Sequence, residues 1–130
     1  MTKREEFEVL LERSRRFCEA AKIFFDRGFH DLACFALEQC LQLYLKAALL
    51  FHGMDPPRTH SIRRSLEYLY AVSEKPEIRE IMERYAVELS LLEDAYITAR
   101  YVPKEFTRGE VERLLRVVEE VLGIVRRVIS

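Results

Sequence analysis

The sequence predicts an all-α fold: a single domain over residues 1–130, built as a five-helix up-and-down bundle. Three observations predict it. Every long segment repeats its apolar residues at helical spacing, and none sustains the alternation of a strand. The segments are divided by short stretches rich in glycine or proline. Connections that short favour antiparallel neighbours.

The first helix carries Phe7, Leu10, Leu11, Ser14, Phe17, Ala21, Phe24 and Phe25 on one stripe, and Gly28 is its expected stop. The second runs from about Phe29 to His52. Its Leu32, Phe35, Leu37, Leu41, Leu43, Leu45, Leu49 and Phe51 point in many directions, so it must be covered on most sides and should be the central helix. Gly53 ends it, and the paired prolines of "GMDPPRT" make a loop. A third helix begins near His60 with Thr59 as its N-cap, and carries Ile62, Leu66, Leu69 and Tyr70. Pro76 fits the first turn of a fourth, where its missing N–H costs nothing. That helix continues through Ile78, Ile81, Met82, Tyr85, Leu89, Leu92, Tyr96 and Ala99 until Pro103 closes it. Thr107 and Glu110 form a capping-box pattern for the last helix, whose stripe runs from Val111 to Ile129.

A chain of 130 residues can bury one real core. With 49% hydrophobic and 33% charged residues the composition is that of an ordered globular domain. A net charge of -1 gives no overall attraction to nucleic acid or to a membrane. The opening segment is charged and periodic rather than signal-like, and the most apolar run, "LQLYLKAALLF", is too short for a membrane span and contains Lys46. A cytoplasmic location is expected. Cys18, Cys34 and Cys40 lack metal-ligand spacing and read as reduced core residues. The absence of asparagine and the excess of arginine over lysine hint at a thermophilic source.

Few residues stand out as chemistry. Gln39, Gln42 and Lys46, spaced i, i+3, i+7, put a narrow polar stripe on the apolar second helix. The plainer reading is that Lys46 reaches solvent and the glutamines bond to neighbouring helices. The sharper one is a polar cleft for a ligand or partner. His60, at the opening of the third helix, could be a general base or a packing residue, and no nucleophile or acid partner is visible in sequence. His30 and His52 receive no role. No His or Cys pair has zinc spacing, and no P-loop, GxGxxG or GxSxG occurs, so neither a metal nor a cofactor is expected. Basic clusters at Arg13 to Arg16, Arg63–Arg64 and Arg126–Arg127 are interleaved with acids and do not decide whether RNA is bound.

Three stretches, in order and spanning nearly the whole chain, resemble the HEPN family of small helical-bundle proteins. They are "DLACFALEQCLQLYLKAALLFHG", "PPRTHSIRRSLEYL" and "DAYITARYVP". Gln39, Lys46, His60, Arg100 and Tyr101 match recurrent family residues. Gln42 stands where an acidic residue is common, and Val102 separates Tyr101 from Pro103. The resemblance implies a homodimer, often working with a minimal nucleotidyltransferase in a two-component, toxin–antitoxin-like module. Family nucleases carry Arg, four to six residues, then His. After Arg100 those positions hold Glu105, Phe106 and Thr107, and no arginine precedes any of the three histidines at that spacing. Without the imidazole such a nuclease would lose about 10²–10⁴ in rate.

The expected protein is therefore a non-catalytic bundle of HEPN type. Gln39, Lys46, His60, Arg100 and Tyr101 are its candidate nucleotide-binding residues. Arg100 is expected to pair with Glu93, Asp94 or another helix's carboxylate, and Tyr101 to pack its ring on the bundle end. The rival reading is a divergent RNase toxin using His60 and Arg100. The apolar surface in excess of what a small bundle hides suggests a dimer, with the last helix as the interface.

Overall fold

The second apolar segment forms α2 (His30–Phe51), the axis of the fold. The computed structural model describes residues 1–129. Around α2 lie α1 (Lys3–Asp26), α3 (Ile62–Ser73), α5 (Ala86–Tyr101) and α6 (Arg108–Val128), while α4 (Pro76–Arg84) bridges α3, α5 and α6. Leu37, Leu41, Leu45 and Leu49 of α2 are fully buried, as an all-round apolar helix requires. Each such side chain contributes about 2 kcal/mol through burial. By length and mean hydropathy α2 could also cross a membrane, but most of that length is buried inside the bundle.

Local chemistry sets the helix ends. After α1, Gly28 takes a positive φ of 76°, and the N–H groups of Gly28 and Phe29 return to the carbonyls of Phe25 and Phe24. After α2, Gly53 (φ 81°) repeats the motif with Leu50 and with the Met54-to-Leu49 bond. These are glycine-terminated Schellman ends, which only a residue without a Cβ adopts freely. Thr107 and Glu110 complete the expected capping box of α6.

The structure has six helices among the described residues, not five. The expected fourth helix breaks at Tyr85 (φ −112°, ψ 26°) into α4 and α5. Its hydroxyl donates to the Glu120 carboxylate of α6, and Arg84 reaches the same group at 3.2 Å. A tertiary clamp thus marks the corner, with no glycine or proline to announce it.

Three further expectations are corrected. Ser61, not Thr59, caps α3, its hydroxyl accepting from the Arg64 N–H at 3.1 Å, while Thr59 accepts from the Ser61 N–H. Cys18 and Cys40 are joined as a disulfide between α1 and α2 (Cα–Cα 5.2 Å), so only Cys34 is a free, buried thiol. The α6 stripe, Val111 to Val128, is buried against the chain's own core and leaves that helix little apolar surface for a partner.

His30 and His52, to which the sequence assigned nothing, brace the two ends of α2. Each places a ring nitrogen on a backbone carbonyl, Phe106 at 3.1 Å and Val128 at 3.2 Å. A carbonyl only accepts, so each nitrogen carries the hydrogen.

Candidate functional site: an arginine on an aromatic platform

The site grows out of how α3 is attached to α2 and α5. Gln42 of α2 donates through Nε2 to the His60 carbonyl. Glu93 of α5 accepts the Ile62 N–H at 2.6 Å, placing a carboxylate at the N-terminus of α3, where free amides and the helix dipole favour it. These two bonds fix the residues on either side of Ser61. They lay the exposed His60 ring on Tyr96 of α5, with centroids 4.2 Å apart and planes 27° from parallel.

Glu93, Tyr96 and Arg100 are spaced i, i+3, i+7 and share one face of α5. Arg100 Nε donates to the Tyr96 carbonyl at 2.7 Å, which turns the guanidinium back along the helix. Its central carbon then lies 4.2 Å from the Tyr96 ring centroid, 4.8 Å from Tyr101 and 5.1 Å from Phe35 of α2. Phe35 and Tyr96 stack at 6.4 Å. No carboxylate among the described residues pairs with Arg100. The expected pairing with Glu93 or Asp94 is thus replaced by a carbonyl and three rings. Tyr101 is 70% exposed, so its ring flanks the guanidinium instead of packing on the bundle end.

The polar stripe of α2 divides. Gln39 donates to Glu38 at 2.7 Å, Gln42 holds the α3 entrance, and Lys46 is half-buried further along the helix. Glu38 was not singled out from sequence, yet it is fully buried. Burial pushes its carboxyl up to about 7; bonds from Gln39 and Gln42 pull against that rise, Glu93 adds to it, and Lys46 opposes it. An ionisable residue on an all-round apolar helix was the available signal. Phe35 and Tyr96 were read only as core residues. Tyr96 stands one helical turn before Arg100, the spacing at which the two side chains meet.

Beside this cluster, α3, α4 and α5 enclose a groove of about 810 Å³. It touches the site only at Ser61 and Glu93, and none of the five sequence-predicted residues lines it. Its arginines are already paired one turn along their own helices, Arg63 with Glu67 at 3.2 Å and Arg79 with Glu83 at 3.8 Å. Among the described residues no cluster of His, Cys, Asp or Glu could hold a metal.

A guanidinium without an acid, resting on aromatic rings, can dock an anion while the rings offer a flat face to a base. The His60 ring makes no hydrogen bond among the described residues. The sequence profile of the HEPN domain matches residues 7–128. The chain belongs to the HEPN domain family. Two solved structures share the HEPN fold seen here. TT1696 from Thermus thermophilus is 27% identical with a TM-score of 0.78, the alignment covering 94% of this chain and 97% of that one. ST0689, an archaeal HEPN homologue, is 23% identical with a TM-score of 0.71, covering 95% and 98%. No curated protein matches the chain. In this HEPN protein the α3 entrance thus joins two sequence-predicted residues, His60 and Arg100, through a third ring, Tyr96.

Proposed function

We propose that this HEPN protein is a non-catalytic binding component. Arg100 docks a nucleotide phosphate, and the neighbouring rings of Tyr96, Tyr101 and His60 receive its base. The observation that carries this reading is the Arg100 guanidinium, free of any carboxylate among the described residues and seated over three aromatic rings. The arginine fork suits phosphate oxygens, and base–aromatic stacking contributes about 1–3 kcal/mol per base. The missing Arg-x4–6-His spacing supports binding over cleavage.

The same reading makes the protein a homodimer that works beside a minimal nucleotidyltransferase in a two-component, toxin–antitoxin-like module. The partnership rests on the family resemblance. The dimer draws support from apolar side chains left in solvent near the site, Leu32, Ile97 and Val102, 41%, 49% and 47% exposed. Calorimetric titration with adenosine and guanosine nucleotides tests the site: micromolar binding that Arg100→Ala removes supports it, and no heat with any nucleotide overturns it. Co-purification with a minimal nucleotidyltransferase, and light scattering for a dimer mass, test the partners.

One observation favours a second reading, a divergent RNase. His60 and Arg100 both lie against the Tyr96 ring, so one tyrosine has an imidazole and a guanidinium as neighbours. Cleavage of cellular RNA that disappears in His60→Ala would establish it.

A further inference from the structure

A cavity of about 420 Å³ opens between α1 and α6, with Leu37 and Tyr44 of α2 in its lining. That volume suits a small molecule. Ser14 and Cys18 of α1 also line it, and Cys18 is one half of the Cys18–Cys40 disulfide. The two sulfurs have different surroundings. Cys18 is partly exposed on the cavity wall, whereas Cys40 is fully buried and forms no part of that wall. A reagent that enters the cavity therefore meets only one end of the bond.

The charged side chains around the cavity are Arg15, Lys22 and Arg126 against Glu19 and Glu119, a surplus of one cation. Arg15 lies 3.6 Å from Glu12 and Lys22 lies 3.9 Å from Glu119. Arg126 has no ion-pair partner among the described residues. It can take the carboxylate of an incoming molecule, and cations nearby also favour a thiolate. At the other sulfur, the Ser14 hydroxyl donates to the Cys40 carbonyl at 2.7 Å, and its oxygen lies 3.7 Å from Cys40 Sγ. A thiol formed at Cys40 thus finds an acceptor already in place.

We propose that this cavity is a site of thiol–disulfide exchange, in which a small acidic thiol attacks Cys18 Sγ and displaces Cys40. The electron pair of the attacking thiolate forms the new S–S bond to Cys18. The Cys18–Cys40 bond breaks, and its pair leaves on Cys40 Sγ. That sulfur takes up the proton which the attacking thiol gave to solvent. One disulfide replaces another, so the thiol is the only co-reactant. The product carries a mixed disulfide on α1 and a buried Cys40 thiol on α2, with the covalent tie between the two helices opened. The site is remote in sequence from the aromatic platform and does not depend on what Arg100 binds.

The oxidised protein is incubated with reduced glutathione, quenched in acid and mapped by mass spectrometry of its unreduced peptides. Glutathione on the Cys18 peptide with Cys40 free is expected. Adducts on Cys40, adducts on both residues equally, or no exchange until urea is added would overturn the site. Two single variants read the same asymmetry from the reverse direction. The free Cys18 of Cys40→Ala should react with glutathione disulfide at least about tenfold faster than the free Cys40 of Cys18→Ala, and equal rates would count against the inference. The charge preference has its own measurement. Arg126→Gln should slow attack by glutathione about threefold and leave attack by the cationic thiol cysteamine unslowed. Equal slowing of both thiols, or of neither, would remove Arg126 and the acidic preference from the site.

Discussion

The rings of His60 and Tyr96 stack at 4.2 Å, and the Arg100 guanidinium lies at the same distance from the Tyr96 centroid. Tyr96 is therefore the residue through which the α3 entrance and the end of α5 are coupled. Replacing it with leucine removes two ring pairs, with His60 and Phe35, and a cation–π contact, a loss of about 2 kcal/mol in urea unfolding. Tyr96→Phe keeps the ring and should keep most of that stability. If the platform binds a base, nucleotide affinity follows the same order: nearly unchanged in Tyr96→Phe and at least about tenfold weaker in Tyr96→Leu. Equal affinity in both variants would remove Tyr96 from the site.

Glu38 gives the fold a defined response to pH. Its folded carboxyl titrates at about 7, above the ordinary 4.5, chiefly because it is buried. Between those values the folded chain holds a proton that the unfolded chain releases. The contribution is full below pH 4.5, declines as pH rises and is lost above about 7. Its size is roughly 3 kcal/mol, at 1.36 kcal/mol per pH unit. Urea unfolding from about pH 4.5 to 8 should show that decline in the parent protein and a flatter profile in Glu38→Gln. Profiles of equal slope would mean that Glu38 is ionised throughout.

Much of this architecture was readable from residue spacing. The apolar periods of α1, α2 and α6 survive in the structure because each helix has one dominant burial demand and a local stop or start: Gly28, Gly53 and the Thr107–Glu110 box. The α4–α5 corner was not readable. It depends on Tyr85 reaching Glu120, a residue 35 positions away, and the apolar period runs through it without a break. The site divided along the same line. Arg100 and His60 were legible as residue types at the end of one helix and the start of another. Tyr96, which brings them together, carried the spacing of a core residue, and Glu38 was hidden by the apolar run around it.

The buried carboxylate of Glu88 makes the opposite response. Arg113 of α6 donates to its Oε2 through Nε at 2.9 Å and Nη2 at 2.6 Å, and these bonds hold the Glu88 carboxyl below its usual range. The stability it contributes is present above the unfolded carboxylate's pKa and is lost as pH falls through the depressed folded value. Arg113 is 67% exposed, so solvent screens the pair, and Arg113→Met should cost only about 1 kcal/mol at neutral pH. Carbon-detected NMR titration checks the cause: the Glu88 midpoint should move up in Arg113→Met and stay in place in Arg116→Met.

The two kinds of cysteine should behave differently toward reagents. The Cys18–Cys40 bond links α1 to α2 across a sequence separation of 22, a loop whose closure contributes about 3 kcal/mol in the chain-entropy estimate. Non-reducing mass spectrometry should find the intact protein two hydrogens lighter than its fully reduced form. Reductant should lower the urea midpoint of the parent and leave that of Cys40→Ala unmoved. Burial pushes the Cys34 thiol up to about 12, so almost no thiolate exists at neutral pH. Iodoacetamide should therefore leave Cys34 unmodified in the folded protein and label it once urea exposes it. Rapid labelling of Cys34 without denaturant would mean that the α2 environment opens far more readily than its packing implies.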